Sequence, residues 1–129
     1  MMTDDTMTIR EMCDAYDVTP RTLRFYEAKE LLFPIRLGTR RLFTKADRAR
    51  LTLILRGKRF GFSLEDIRQL LGMYDRNGSN ESQLAKTLEL GQTRLTQMEQ
   101  QRFDLDVAIT ELKDQLALTA DMLKGRNAA

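Results

Sequence analysis

In several segments of the chain, apolar residues recur at helical spacing. Capping residues precede the first two of these segments. Thr8 opens a capping-box pattern, which predicts a helix through about Tyr16. Thr19, followed by Pro20 in the first turn, predicts a second helix, because a missing N–H costs nothing there. A short turn, Asp17–Val18, joins the two, so the pair is interpreted as a helix-turn-helix. A helical hairpin in some other core fits the same spacing equally well.

The predicted second helix carries side chains that suit nucleic acid. We expect Leu23 and Phe25 to turn inward or partly inward. The side chains expected to project elsewhere are Arg21, Thr22, Arg24 and Tyr26. Two guanidinium groups, a hydroxyl and a phenol can bind phosphates and base edges. A half-buried core aromatic is the alternative interpretation of Tyr26.

A β-hairpin is predicted after this helix. Pro34 disfavours helix at the residue before it, and apolar and basic residues then alternate from Ile35 to Phe43 around Gly38-Thr39. A hairpin this small is not stable alone, so we expect it to lean on the helices with its arginines outward, as a wing. Those arginines are Arg36, Arg40 and Arg41. An ordinary charged loop is the alternative, which three arginines without one acid make the weaker choice.

Two further amphipathic helices follow the hairpin. Thr44 repeats the capping pattern and begins a helix through about Arg59, which Gly61 ends. Ser63 caps a fourth helix, and Lys58 lies outside the apolar stripe of the third. The apolar positions of both helices predict core residues: Leu51, Leu53, Ile54, Leu55, Leu64, Ile67, Leu70 and Leu71.

One long heptad pattern extends from about Glu81 to Lys124. Nine of its twelve a and d positions are apolar, which predicts a coiled coil interrupted at Gly91, Arg102 and Thr119. The apolar positions expected to form the dimer seam include Leu84, Leu88, Leu95, Met98, Leu105, Ile109, Leu112 and Leu116. Because the pattern predicts no second long helix in the chain, the expected partner is another copy, which makes a homodimer. The pattern leaves open whether the two helices run parallel or antiparallel.

Charge is distributed unevenly along the 129 residues. Between Pro20 and Phe60, twelve Lys and Arg stand against three Asp and Glu, a net charge of +9. Residues 75–129 carry seven basic and nine acidic residues, a net charge of −2. A basic region in front of a nearly neutral one is typical of a protein that binds a polyanion.

Cysteine and histidine usage narrows the chemistry. Cys13 is the only cysteine and histidine is absent, which excludes metal centres built on these ligands within one subunit. Catalysis through His, Ser-His or Cys-His is excluded too, and no acid/base constellation stands out, so neither an enzyme nor a cofactor is expected. No apolar run approaches membrane-spanning length, and the acidic N-terminus lacks a signal peptide's apolar core. We therefore expect a soluble protein of the cytoplasm.

Four ordered segments resemble the MerR family of bacterial transcription regulators. They are Thr8–Glu11, Val18–Glu27, Gly38–Phe43 and Gly61–Ile67, and the similarity extends over about residues 7–74. The resemblance implies a mainly α fold: a winged helix-turn-helix head (1–74), a linker (75–81), and a dimerisation helix with a short tail (82–129). It also implies that the two long helices of the dimer form an antiparallel coiled coil. Leu55–Leu64 further resembles the LiuR-like subgroup, which is associated with branched-chain amino-acid and acyl-CoA catabolism.

The resemblance assigns candidate DNA contacts in the head. It implies groove contacts from Arg21, Thr22 and Arg24, and phosphate or base-edge contacts from Arg24 and Tyr26. Phe25 lacks the hydroxyl that the family usually carries at that position. The residues that would belong to the wing and contact the flanking DNA backbone are Arg36, Arg40 and Arg41. Lys58 matches a phosphate-contacting lysine, with a solvated helix face as the alternative.

The family also implies partners and a mechanism. Its members typically bind a promoter with an overlong spacer, and effector binding makes the dimer bend and untwist the DNA so that RNA polymerase can use it. Promoter DNA, a second copy, RNA polymerase and a small-molecule effector are thus implied. Candidate effector contacts are Met73, Tyr74, Met98 and Phe103, with core packing as the alternative for each. The operator, the regulated genes, the effector and the choice between activation and repression stay open.

Two other interpretations compete with a DNA-binding regulator. A coiled-coil adaptor whose head binds protein would bind no DNA, and the arginine-rich wing argues against it. A metal or redox sensor of the same family would carry cysteines around the dimerisation helix, where this chain has none. Cys13 is expected to be a small buried hydrophobe in the first helix.

Overall fold

A computed structural model of the chain describes residues 5–75 and 81–128. Its elements are β1 (Met7–Thr8), α1 (Ile9–Tyr16), α2 (Pro20–Ala28), β2 (Ile35–Leu37), β3 (Arg40–Phe43), α3 (Lys45–Phe60), α4 (Leu64–Asp75) and α5 (Glu81–Ala128). The chain divides into two compact units, Met1–Leu88 and Glu89–Ala129. A helix-turn-helix and a hairpin precede one long helix, which confirms the predicted fold class as mainly α.

Hydrogen-bonded caps begin the two helices of the helix-turn-helix where the sequence predicts them. Thr8 Oγ1 accepts from the Glu11 N–H at 3.1 Å, and the Glu11 carboxylate accepts from the Thr8 N–H at 2.8 Å. Thr19 Oγ1 accepts from the Thr22 N–H at 3.1 Å and so begins α2. Asp17 lies between the helices at φ 54°, in the left-handed region that Asp tolerates better than most residues. The predicted short turn is confirmed.

The caps of α3 and α4 are also confirmed. Thr44 and Asp47 form a capping box in front of α3, and Gly61 ends that helix with φ 84°. Ser63 Oγ accepts from the Asp66 N–H at 3.1 Å in front of α4. The caps at Thr44 and Ser63 satisfy backbone N–H groups that the first helical turn leaves without partners, whereas the Gly61 N–H donates to carbonyls of the last turn of α3.

A three-stranded antiparallel sheet lies beside the helices, in the order β1-β3-β2. The predicted hairpin is confirmed, with Ile35 opposite Leu42 and Leu37 opposite Arg40 around the Gly38-Thr39 turn. The third strand, β1, pairs Met7 with Phe43 and was not predicted. Two residues are too few to show the alternation by which a strand is recognised in sequence.

The core collects side chains from α1 to α4, from β3 and from the segment between α2 and β2. Its fully buried members are Met12, Leu23, Leu31, Leu32, Phe43, Leu51, Ile54, Ile67 and Leu71. The apolar stripes predicted for α3 and α4 supply four of these, and their other members are partly buried. The helices α3 and α4 approach closely at Gly57, where a Cβ would lie 2.8 Å from Ile67 Cγ1. Through buried Leu23 and Tyr26, α2 is therefore mounted on a packed core.

Two buried polar side chains, Asp47 and Arg50, fix the segment between α2 and β2. Asp47 accepts a hydrogen bond from the Phe33 N–H at 2.9 Å, in addition to its bonds in the α3 capping box. Arg50 Nε donates to the Leu31 carbonyl at 2.8 Å, and its guanidinium lies 5.1 Å from the centre of the Phe33 ring. Since buried charges are costly unless they are hydrogen-bonded, these contacts hold the chain that leads from α2 to the wing.

The long helix α5 has 48 residues and none of them that the structure describes is buried. It begins at the predicted Glu81 and continues beyond the predicted Lys124. The predicted linker, 75–81, lies mostly outside the described residues, so the division into head, linker and dimerisation helix stays a prediction. All eight predicted seam residues, from Leu84 to Leu116, are exposed in the single chain, by between 37% and 61%.

Candidate nucleic-acid interface

The face of α2 that points away from the core carries Arg21, Arg24 and Phe25, all of which are exposed. Leu23 and Tyr26 lie on the opposite face and are buried. Thr22 is only partly exposed, and its Oγ1 lies 2.9 Å from Thr19 Oγ1, so this hydroxyl takes part in the cap. Two arginines are thus presented together on the exposed side of a helix that the core holds rigidly.

The expected orientations of Phe25 and Tyr26 are wrong and have to be exchanged. Tyr26 is only 4% exposed, whereas Phe25 is 45% exposed. With 3.6 residues per turn, the residue three positions after buried Leu23 shares its face, and the residue two positions after it points away. Burial raises the pKa of Tyr26 above its ordinary value. A DNA contact from Tyr26 is still a prediction, but it can involve only the small part of the side chain that reaches the surface.

The wing arginines differ in how much of each side chain solvent can reach. Arg36 and Arg40 are exposed, Arg36 by 48% of its side chain, as expected for an outward wing. Arg41 is only partly exposed, with solvent reaching 21% of its side chain. Arg36 and Arg41 are directly opposite each other in the β2–β3 ladder, and like charges in that position repel. A carboxylate from α2 compensates this repulsion.

That carboxylate belongs to Glu27 in the last turn of α2. Its Oε2 lies 3.2 Å from Arg36 Nη1, and its Oε1 lies 2.5 Å from Arg41 Nε. Burial by itself would raise the pKa of Glu27, but the hydrogen bonds and charges of Arg41 and Arg36 outweigh it, and the net pKa is lowered. Glu27 was not among the predicted site residues. A signal was available, because Glu27 is the one acid within α2.

Lys58 is exposed in the last turn of α3, beside exposed Arg56 and Arg59. Glu27 joins the wing arginines Arg36 and Arg41 to α2, the helix that carries Arg21 and Arg24. Lys58 lies on a different element, α3.

Two cavities lie near the predicted effector contacts. One of about 240 Å³ is lined largely by apolar side chains of α3 and α4, including Leu53, Phe60, Met73 and Tyr74. Another of about 300 Å³ lies between α4 and the first turns of α5, lined by Gln69, Gly72, Met73, Gln83, Lys86 and Thr87. The other two candidates, Met98 and Phe103, are exposed on α5. Met73 and Tyr74 thus line space that a small molecule could enter.

Residues 5–75 and 81–128 hold neither a candidate metal site nor a candidate membrane-spanning helix. Within that part of the chain, no group of three or more His, Cys, Asp or Glu side chains is placed to hold a metal ion. In the same residues, no helix combines the length and the apolar character needed to cross a membrane. Cys13 is partly buried against the core, and burial raises the pKa of its thiol.

The protein is defined as a winged helix-turn-helix protein by three features. They are the capped second helix α2 (the recognition helix), the β-hairpin wing and the long helix after them. Comparison with known families then gives the particular class. A family model described as "MerR HTH family regulatory protein" matches residues 7–73, and one described as "MerR, DNA binding" matches residues 48–115. The chain belongs to the MerR family of DNA-binding transcription regulators.

Individual relatives agree with this assignment. The HTH-type transcriptional regulator HmrR of Rhizobium leguminosarum bv. viciae is 31% identical over 108 residues, which cover 83% of this chain and 78% of HmrR. The HTH-type transcriptional regulator ZntR of Escherichia coli K12 is 40% identical over 67 residues, 50% of this chain; the match spans about half of ZntR, 48% of its length.

A solved structure shows the same fold. HiNmlR, a MerR family regulator that lacks the sensor domain and was crystallised with promoter DNA, superimposes with a TM-score of 0.63. The alignment has 24% identity and covers 81% of this chain and 78% of that one. At this identity the likeness establishes the fold alone.

Proposed function

We propose that the protein binds a promoter as a homodimer and controls transcription by bending and untwisting that DNA in response to a small-molecule effector. The observation that carries the proposal is the exposed arginine face of α2, mounted on a packed core beside an arginine-rich wing. Residues 20–60, which contain both, have a net charge of +9. This charge attracts the duplex and releases counterions, and the side chains then select the sequence.

Arg21 and Arg24 are the proposed base-reading residues, since exposed arginines on a groove-entering helix can bind guanine with two hydrogen bonds. Thr22 and Tyr26 would contribute from the edge of the same surface. The proposed backbone contacts are Arg36, Arg40, Arg41 and Lys58. Phosphate contacts set the register of the head on the duplex, and base contacts give it specificity.

The exposed seam of α5 supports the homodimer. A helix with apolar residues at nine of twelve seam positions is stable in water only if a partner helix covers them. A second copy would supply an identical seam, and the family resemblance suggests that the two helices run antiparallel. Two heads related by a two-fold axis would then bind two half-sites of one operator.

The regulatory part of the proposal draws on the family. HiNmlR is a MerR family regulator bound to promoter DNA, and deforming DNA costs free energy that depends on its sequence, which makes distortion a means of control. Cytoplasmic RNA polymerase would be the partner that uses the realigned promoter. The resemblance of Leu55–Leu64 to the LiuR-like subgroup suggests that the target genes serve branched-chain amino-acid or acyl-CoA catabolism. The cavities beside Met73 and Tyr74 are candidate effector sites.

A second candidate function is a coiled-coil adaptor whose head binds protein. The observation in its favour is a group of exposed apolar side chains on the wing strand β2 and just before it: Phe33, Ile35 and Leu37. Such an adaptor would bind its partner with little dependence on salt and would not select DNA.

The first test is affinity selection of sheared host genomic DNA on the purified protein at moderate salt, followed by sequencing. Recovery of a two-fold symmetric site within a promoter supports the regulator and the dimer together, and the neighbouring genes identify the pathway. If a folded, dimeric protein enriches no DNA, even when cell metabolite extract is present, the adaptor is supported instead.

The selected site then allows a test of the residue roles by fluorescence anisotropy. Arg24→Ala should weaken specific binding by about 1–3 kcal/mol and relax the preference at one base pair. Lys58→Ala is the matched comparison, because it should weaken all sequences alike and lower the salt slope by about one per head. An Arg24→Ala variant that keeps wild-type affinity and preference would remove Arg24 from the base contacts.

A further inference from the structure

We propose that Glu27 is a positioning residue for DNA binding: it fastens Arg36 and Arg41 of the wing to the recognition helix, so that their remaining N–H groups are held ready for phosphates. The inference rests on the proposed function, because it concerns the same surface and the same DNA. It assigns a binding role to an acidic residue that would ordinarily be expected to repel a polyanion.

The contact joins one carboxylate to two guanidinium groups. Each carboxylate oxygen of Glu27 has its own arginine: Oε2 is 3.2 Å from Arg36 Nη1 and Oε1 is 2.5 Å from Arg41 Nε. The two arginines are cross-strand partners, one on β2 and the other on β3. A single side chain of α2 therefore binds both strands of the wing.

Both arginines keep N–H donors that Glu27 does not use. A guanidinium has five N–H groups in a planar fork, and each arginine uses one of its nitrogens on Glu27. Arg41 keeps both of its Nη groups, and Arg36 keeps Nε and Nη2. Phosphate binding therefore does not require that either contact with Glu27 be broken. The 48% exposure of the Arg36 side chain makes it the more accessible of the two.

Ordering the wing and its arginine side chains costs conformational entropy. A two-stranded hairpin is marginal by itself, and immobilising a long arginine side chain on binding costs conformational entropy. In a wing that is already bound to α2, part of this entropy is lost on folding, so less is lost when DNA binds. Groove contacts from Arg21 and Arg24 and phosphate contacts from the wing would then share one fixed register.

A simple electrostatic view makes the opposite prediction. Glu27 is ionised at neutral pH, because its arginine partners lower its pKa more than burial raises it. If its charge mattered only through long-range repulsion of phosphates, removing that charge would strengthen DNA binding. If Glu27 positions the arginines, removing the charge weakens binding although the head becomes more positive. The sign of the change distinguishes the two.

The experiment compares Glu27→Gln with Glu30→Gln in the full chain. Glu30 is an exposed acid just after α2, so both variants change the charge equally in the same region. Binding to the genomically selected site is measured by anisotropy between about 50 and 200 mM salt, the range over which phosphate contacts have large effects. We expect Glu27→Gln to weaken binding about three- to tenfold and to lower the salt slope, while Glu30→Gln leaves the affinity unchanged or slightly higher. Equal or tighter binding by Glu27→Gln would overturn the inference.

Two further variants separate positioning from loss of stability. Glu27→Asp keeps the charge but shortens the side chain by one methylene, so electrostatics predicts no change and positioning predicts weaker binding. It also replaces Glu27→Gln if circular dichroism shows that variant to be unfolded. In an Arg36→Ala background, the effect of Glu27→Gln should shrink, since the two residues act together. An undiminished effect, or wild-type binding by Glu27→Asp, counts against positioning.

The controls also keep this inference apart from the proposed function. If the wild type selects no DNA, the proposed function fails. If the wild type binds and Arg24→Ala weakens it, but Glu27→Gln does not, only the role of Glu27 is rejected.

Discussion

The helix-turn-helix head and the long helix α5 use their apolar residues in opposite ways. In the head, side chains from four helices and a strand bury one another, and Leu51 and Phe43 are completely covered. In α5, Leu105 and Leu112 are about 60% exposed, and none of the described residues of that helix is buried. Because burial of apolar surface is the main stabilising term, one chain supplies the core of the head, whereas the apolar residues of α5 would be covered only in the proposed homodimer.

The largest expected effect is on the partner of α5. Leu112→Lys places a charge on the predicted seam of both copies, so it removes two leucines that the proposed dimer would bury, each worth about 1.5–3 kcal/mol, and adds like charges. Dimerisation should weaken by at least a hundredfold, and operator affinity should fall with it. Sedimentation equilibrium measures the dissociation constant.

Leu118→Lys is the matched control for that substitution. Leu118 is also exposed in the single chain, by 56%, but it lies off the predicted seam. It should change dimerisation little. If Leu118→Lys dissociates the dimer and Leu112→Lys does not, the seam has been assigned to the wrong side of α5.

The next largest effect concerns the core of the head. Leu51→Ala leaves a cavity among fully buried side chains and should lower the free energy of unfolding by about 2–5 kcal/mol. Because the loss arises within one chain, it should not depend on protein concentration, unlike the loss from a seam variant. Urea denaturation at two concentrations, followed by circular dichroism, tests this, and a loss that varied with concentration would contradict it.

A third comparison uses one substitution with opposite results in the two regions. At Gly57 a new Cβ would lie 2.8 Å from Ile67 Cγ1, whereas at Gly125 in α5 it would meet nothing within 4 Å. Gly57→Ala should therefore cost about 1–3 kcal/mol by overpacking, despite the better helix propensity of Ala. Gly125→Ala should be neutral or stabilise by a few tenths of a kcal/mol, since the helix end frays. Thermal unfolding of both variants measures the difference, and equal shifts in Tm would contradict the close packing at Gly57.

The smallest expected effect is a pH dependence within the head. The pKa of Glu27 is lowered in the folded protein by Arg41 and Arg36 against the opposing effect of burial. Its stabilisation should be complete above the ordinary Glu pKa of about 4.3 and should be lost as the pH falls through the lowered value. The difference in free energy of unfolding between wild type and Glu27→Gln should therefore be constant at neutral pH and decline in acid. A difference that persisted unchanged in strong acid would show that the ion pairs contribute nothing.

Sequence reasoning succeeded where neighbouring residues carry the information. The caps at Thr8, Thr19 and Thr44 each involve a partner three residues away, and the hairpin turn at Gly38-Thr39 is equally local. The sequence-based prediction is wrong for Phe25 and Tyr26. It puts Leu23 and Phe25 on one side of α2, although a helix places residues two positions apart on opposite sides. The strand β1 was missed because its partner, β3, is some 35 residues away in the chain.

The sequence by itself determined the helices, the wing, the family and the basic character of the surface, because caps, turns and heptads are patterns over a few residues. Only the tertiary structure showed that Asp47 binds Phe33, 14 residues away, or that Glu27 binds Arg36 and Arg41, 9 and 14 residues away. These pairings depend on how α2, the wing and α3 pack, and the hydrophobic pattern that drives packing does not specify which charges will meet. The basic residues of α2 and the wing were therefore predictable from the sequence, and the contact of Glu27 with Arg36 and Arg41 was not.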